Sequence, residues 1–145
     1  MPTFILGADH GGFSLKESVR KLLEQRAIRY EDLSQTLNEE DDYPLVAQRV
    51  AHHVAQQNEV FGILVCTSGL GMDIAANRVR GARAAVIRTT EEARLAREHN
   101  HANILVLGEA FTTPRQAAAI LTTWLDTRPS YARRHVRRVH QMDEV

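Results

Sequence analysis

The sequence predicts an α/β protein with a five-stranded parallel sheet, helices on both faces and a basic C-terminal helix. Two observations carry this reading. Short apolar runs alternate along the chain with segments of helical periodicity, and strands separated by helices pair in parallel. Polar and glycine-bearing turns follow the apolar runs directly, at the carboxyl strand ends where open parallel sheets bind ligands. With 145 residues and no repeat, low-complexity tract or linker, the chain reads as one domain, 1–145, able to bury a real core.

The elements follow in order. Phe4 to Ala8 is an apolar strand ending in the polar turn Asp9-His10-Gly11-Gly12. Phe13 to Ala27 has Leu15, Val19, Leu22 and Leu23 at helical spacing, with charges opposite. Ile28 to Leu33 is a partly polar strand, expected near a sheet edge. Ser34 to Asp42 is polar and acidic and reads as a surface loop. Tyr43-Pro44 opens a helix, with proline in the first turn, and Val46, Val50 and Val54 share one face.

Val60 to Val65 is a buried strand running into Cys66-Thr67-Ser68-Gly69-Leu70-Gly71, and Met72 to Asn77 begins a helix. Ala82 to Ile87 is the next strand. Thr89-Thr90-Glu91-Glu92 starts a helix with hydroxyl caps and first-turn acids, which ends near Glu98 before His99-Asn100-His101. Ile104 to Leu107 is the fifth strand, stopped by Gly108. Thr113-Pro114 opens a helix through Ile120, Leu121, Trp124 and Leu125. Arg128-Pro129 breaks it, and Tyr131 to His140 forms the last helix.

Composition removes several classes of function. Lys+Arg and Asp+Glu are both 18, so net charge gives no reason to expect nucleic acid or an anionic membrane as partner. One cysteine excludes an internal disulfide and fits a reducing compartment. Met1-Pro2-Thr3 leads straight into a strand with no basic region, and no apolar run reaches membrane-spanning length. The expectation is a cytoplasmic protein with no signal peptide.

Cys66 is the centre of interest. The loop from Cys66 to Gly71 aims backbone N–H groups and a helix start at the space above a strand end, which suits an anion. A lone cysteine there is either an inert filler or a thiolate whose pKa the local positive potential lowers, acting as base or nucleophile. Nucleotide motifs fail: Ile74 stands where a dinucleotide fingerprint needs its third glycine, and no Gly-Lys-Ser/Thr follows. His10, His99 and His101 have no ligand spacing with the thiol or carboxylates, so neither metal nor cofactor is expected. Asp9-His10 alone is an Asx-type turn, and His99-Asn100 alone a helix C-cap. On the last helix Arg133 pairs with Arg137 and Arg134 with Arg138 at four-residue spacing. One pair can face a neighbour while the other faces water, and two such arginines make a phosphate clamp.

Taken together, Gly7-Ala-Asp-His-Gly11, Asp42-Tyr-Pro44, Cys66-Thr-Ser-Gly-Leu-Gly71, Ile74-Ala-Ala-Asn77 with Gly81-Ala-Arg83, and His99-Asn100 resemble the ribose-5-phosphate isomerase B family. That family includes galactose-6-phosphate isomerase subunits. The resemblance runs nearly the whole chain. It implies a three-layer Rossmann-like sandwich, a metal-free homodimer or dimer of dimers, and sites at the subunit interface. By the same resemblance Cys66 is the base of an aldose–ketose isomerase working through an enediolate. Met72 occupies the place where another branch carries a glutamate, and Asp73, one residue on, points elsewhere. The amides of Thr67, Ser68, Gly69, Leu70 and Gly71 would hold the oxyanion, and Ser68 would shuttle a proton. His99 with Asp9 would open the sugar ring. Asn100 would bind a hydroxyl and Tyr43 line the pocket, while His10, Arg133 and Arg137 would hold phosphate.

Two positions depart from the family pattern: Thr67 replaces a glycine, and Ala110 an arginine after the last strand, whose work would fall to Arg88 or the basic helix. The implied substrate is ribose 5-phosphate, converted to ribulose 5-phosphate. The other readings are allose or galactose 6-phosphate, a tetrose phosphate, or a non-catalytic sugar-phosphate-binding subunit.

Overall fold

A computed structural model describes residues 2–145; Met1, where the reading of the N-terminus begins, lies outside them. The elements are β1 (Thr3–Ala8), α1 (Phe13–Gln25), β2 (Arg29–Asp32), α2 (Tyr43–Ala55), β3 (Val60–Cys66), α3 (Leu70–Ala76), β4 (Ala84–Val86), α4 (Thr90–Glu98), β5 (Ile104–Gly108), α5 (Pro114–Asp126) and α6 (Arg133–Asp143). The five strands form one sheet in the order β2-β1-β3-β5-β4, and every pairing is parallel. The polar strand β2 lies at an edge, as its sequence predicts.

Period-two alternation divides the central strands between two cores. Phe4, Leu6, Ile63, Val65, Leu105 and Leu107 face α1, α4 and α5, where Leu15, Leu23, Ala93 and Trp124 meet them. Ile5, Leu64, Cys66, Ile104 and Val106 face α2 and α3 and pack on Val46, Val50, Met72 and Ala76. Cys66 therefore belongs by register to the α2/α3 face.

Several boundaries differ from the sequence reading, for local reasons. Helix α1 stops at Gln25 because Ala27 turns into the left-handed region, at φ 54°. Helix α3 starts at Leu70, two residues early, because Gly69 caps it at φ 83°. Helix α6 starts at Arg133 rather than Tyr131. The segment before it is tied to α4, with Ser130 N–H donating to Glu98 O and the Tyr131 ring edge-on to His101.

The turn after β1 is anchored by a buried charge. Lys16 is fully buried, and its Nζ donates to Asp32 (2.7 Å), Glu17 (2.8 Å) and Ser34 O (2.8 Å). That uses all three ammonium protons and joins α1 to the end of β2. Removing one member of a buried pair strands the other charge. Lys16→Met should cost about 3–5 kcal/mol of stability in urea unfolding, and adding Asp32→Leu should recover most of it.

Candidate active site

The loop after β3 is set by close backbone approaches. Glu109 N–H donates to Cys66 O and Ala110 N–H to Thr67 O, both at 2.9 Å, so the β5–α5 turn is bonded to the loop. A Cβ on Gly108 would lie 2.5 Å from Ser68 O, and one on Gly69 2.8 Å from Val86 Cγ2. The β1 turn lies on the other side. A Cβ on Gly12 would fall 2.2 Å from Val65 O, and one on Gly11 2.1 Å from Thr67 Oγ1. Only bare backbone fits at these points. The Tyr43 ring packs over Gly71, where a Cβ would sit 2.2 Å from Cε1. Ser68 Oγ accepts the Leu70 N–H (3.2 Å) at the opening of α3.

Cys66 is buried, and Gly69 N–H donates to its Sγ at 3.2 Å. Burial pushes the thiol pKa up, and the Asp9 carboxylate adds to this against the amides of Met72, Gly69 and Ser68. Of the two alternatives the sequence leaves open for this thiol, a lowered pKa is not what its surroundings favour: desolvation outweighs the loop's positive potential. Asp9 is buried beside it, with Oδ1 accepting the Gly12 N–H (3.1 Å), and burial raises its pKa above the usual carboxylate value. His10 is half exposed. Its backbone N–H donates to Asp41 Oδ1 (3.1 Å), and its Nδ1 lies 2.9 Å from the same oxygen. That hydrogen bond raises the imidazole pKa. Asp41 lies in a stretch that sequence marks only as polar loop, so nothing in the pattern announces this role.

Cys66, Thr67, Ser68, Gly69, Leu70, Gly71, Asp9, His10 and Tyr43 thus gather at the carboxyl end of the sheet. His99 and Asn100 do not. Helix α4 starts beyond the carboxyl end of β4 and runs back, so they lie near the amino end of β5. There His101 O accepts from Arg83 Nε (3.0 Å), just before β4 begins. The seven-residue β3 spans about 20 Å, so no side chain bridges the two ends within one chain.

At the amino end the His99 ring stacks on His135 of α6, with centroids 4.5 Å apart and planes at 14°. His135 is buried, and its pKa is lowered by burial and then by Arg134, His99 and Arg138. Arg134 and Arg138 are therefore the arginines beside the histidine stack. Arg133 and Arg137, expected with His10 at the phosphate, line a separate cleft with Tyr131, His140 and Glu144. The buried positions His135 and Val139 set the helix face, and they alone distinguish the two four-residue pairs. Asn100 borders a cavity of about 570 Å³ with Asn77, Arg83, Met142 and Asp143. Asp73 is turned away, its carboxylate accepting from Asn77 Nδ2 (3.1 Å). Among the described residues no group of three or more His, Cys, Asp or Glu is placed to hold a metal ion. No helix among the described residues is long and apolar enough to cross a membrane. Beside the loop, Leu45, Leu70 and Ile74 of α2 and α3 are exposed by 61%, 50% and 66%, a neighbouring set of uncovered apolar side chains.

Comparison with known proteins adds independent findings. A family model described as Ribose/Galactose Isomerase matches residues 4–142. The chain is 36% identical over 140 residues to a ribose-5-P isomerase B of Listeria innocua, covering 97% of this chain and 94% of the relative. It is also 36% identical over 127 residues to a D-erythrulose-4-phosphate isomerase of Pectobacterium atrosepticum, covering 87% and 84%. Among solved structures, a ribose 5-phosphate isomerase from Thermotoga maritima superposes with a TM-score of 0.93 at 43% identity, over 99% of both chains. A ribose-5-phosphate isomerase B from Mycoplasma genitalium with bound ribulose-5-phosphate superposes at 0.92 with 32% identity, over 98% and 94%.

The thiol environment makes a direct prediction. A raised pKa leaves Cys66 protonated at neutral pH, and only the thiolate alkylates. Iodoacetamide should label the native chain more slowly at pH 7 than the unfolded chain. Its rate should still be climbing where an ordinary thiol has levelled off; a plateau near pH 7 would refute the buried, neutral thiol.

Proposed function

The chain belongs to the ribose/galactose isomerase family, and we propose that it interconverts ribose 5-phosphate and ribulose 5-phosphate through an enediolate. The observation that carries this reading is the division of the groups between the two ends of the sheet. Base, oxyanion loop and Asp9 lie at one end, and His99, Asn100, Arg134 and Arg138 at the other. A homodimer in which one chain's amino end meets the other's carboxyl end joins the two sets, and two-fold symmetry makes two such sites. The exposed Leu45, Leu70 and Ile74 beside the loop supply an apolar surface for that pairing.

The chemistry follows from the groups. His99 from one chain and Asp9 from the other open the furanose by moving a proton between the ring oxygen and the anomeric hydroxyl. Cys66 first gives up its thiol proton to solvent; the thiolate then takes the C2 proton of the open-chain aldose, and the charge spreads onto the carbonyl oxygen as the enediolate. The amides of the loop between Thr67 and Gly71 meet that oxygen at the start of α3. Ser68 relays the hydroxyl proton, and Cys66 returns a proton to C1. Asn100 and Tyr43 hold hydroxyls and the sugar face, and His10, Arg134 and Arg138 the phosphate. No cofactor enters this scheme. A free catalytic thiol works in a reducing compartment, and we place the enzyme in the cytoplasm, in pentose phosphate interconversion.

A second reading, isomerisation of a tetrose phosphate, has a specific support. The erythrulose-4-phosphate relative reaches the same 36% identity as the ribose relative, over 127 residues against 140. Thr67 and Ala110 also alter the surroundings of the loop.

Two experiments test the proposal. Cys66→Ala should lower kcat for ribose 5-phosphate by about 10²- to 10⁴-fold while the variant stays folded. A tetrose phosphate turned over faster than ribose 5-phosphate would select the second reading. Inactive Cys66→Ala and His99→Gln chains, refolded together in equal amounts, should regain about a quarter of wild-type activity, because each mixed dimer holds one intact shared site. No recovery would place the whole site within one chain.

A further inference from the structure

We propose that Arg88, seated on the ring of Phe111, is the chain's own arginine contact for the substrate phosphate, beside His10, at the carboxyl end of the sheet. The inference rests on the isomerase reading above and names a binding residue for it. A sugar phosphate bound over the Cys66 loop brings a dianion to a region where the carboxylates Asp9 and Asp41 already lie. The cations at this end are mostly committed. Lys16 is buried and saturated by Glu17, Asp32 and Ser34. His10 keeps one ring nitrogen for the phosphate, its Nδ1 being bonded to Asp41. Arg115 sits on the exposed first turn of α5 with no ion-pair, hydrogen-bond or ring contact among the described residues to fix it.

Arg88 differs from all of these. It follows β4, two residues past Val86, whose side chain reaches the Gly69 backbone. Its guanidinium carbon lies 4.5 Å from the Phe111 ring centroid. Phe111 belongs to the turn whose Glu109 and Ala110 amides are bonded to Cys66 and Thr67. The aromatic face orients the guanidinium without neutralising it. The nearby carboxylates are held by other groups: Glu92 accepts the Arg88 backbone N–H (2.7 Å), and Glu109 accepts the Leu15 N–H (2.6 Å) at the start of α1. Among the described residues the guanidinium has no ion pair or hydrogen bond, and its N–H donors face outward for an anion.

The test is the kinetics of Arg88→Gln, Arg88→Lys and Phe111→Ala on ribose 5-phosphate, with inorganic phosphate as competitive inhibitor. Arg88→Gln should raise KM and the phosphate inhibition constant together by about tenfold, with kcat within about threefold of wild type. Arg88→Lys should recover part of both, and Phe111→Ala should show a smaller rise by freeing the arm. KM and the inhibition constant both within twofold of wild type in Arg88→Gln would overturn the proposal. Titration of inorganic phosphate by NMR, wild type against Arg88→Gln, separates the two readings. Arg88-dependent phosphate binding in a chain that isomerises no sugar phosphate keeps this inference and removes the isomerase; an active enzyme whose phosphate affinity ignores Arg88 does the reverse.

Discussion

The site depends on how closely the backbone approaches itself around the strand that ends at Cys66. The turns after β1 and β5 press on the Cys66–Gly71 loop from both sides, at distances only glycine permits. Main-chain hydrogen bonds from Glu109 and Ala110 fix its height. This packing presents the loop amides as a fixed set of donors, which catalysis by charge stabilisation requires. The same packing buries the thiol, so the geometry that favours an oxyanion also raises the thiol pKa. Oxyanion binding and a ready thiolate are in competition here, and in the resting chain the protonated form wins.

Much of the fold was legible because the signals were local. Alternating apolar runs and helical spacings give the element order, and the weak polarity pattern of β2 gives its edge position. The polar residues after the strands mark the carboxyl end, and the residue blocks shared with the family name the chemistry. The rest depends on three-dimensional facts that no spacing encodes. The thiol pKa follows from burial by α2 and α3, while the loop motif taken alone points the opposite way. The two arginine pairs of α6 have the same spacing. They are told apart by which side of the helix His135 buries against His99. Asp41, in a stretch with no periodicity, takes its role only because the chain folds back onto His10.

Separation of the groups between the two ends of the sheet gives the lone chain an unusual status. Each chain carries its own two cores and, on the reading proposed above, only part of two sites. Folding and competence are then separate events, the first governed by the cores on either side of the sheet and the second by association. On the same reading, the exposed apolar side chains beside the loop put the surface for association next to the chemistry it would complete.

Helix α4 acts in this arrangement as a ruler. Its capped start at Thr89 is fixed beside the carboxyl end of β4, and its last turn delivers His99 onto His135. Each added or deleted residue would shift that terminus by about 1.5 Å and turn it by about 100°. The surface of α4 can vary freely while its length cannot. Insertions that the loop between β2 and α2 would absorb should be excluded between Thr90 and Glu98, where a register error at one end would be read out as a misplaced imidazole at the other.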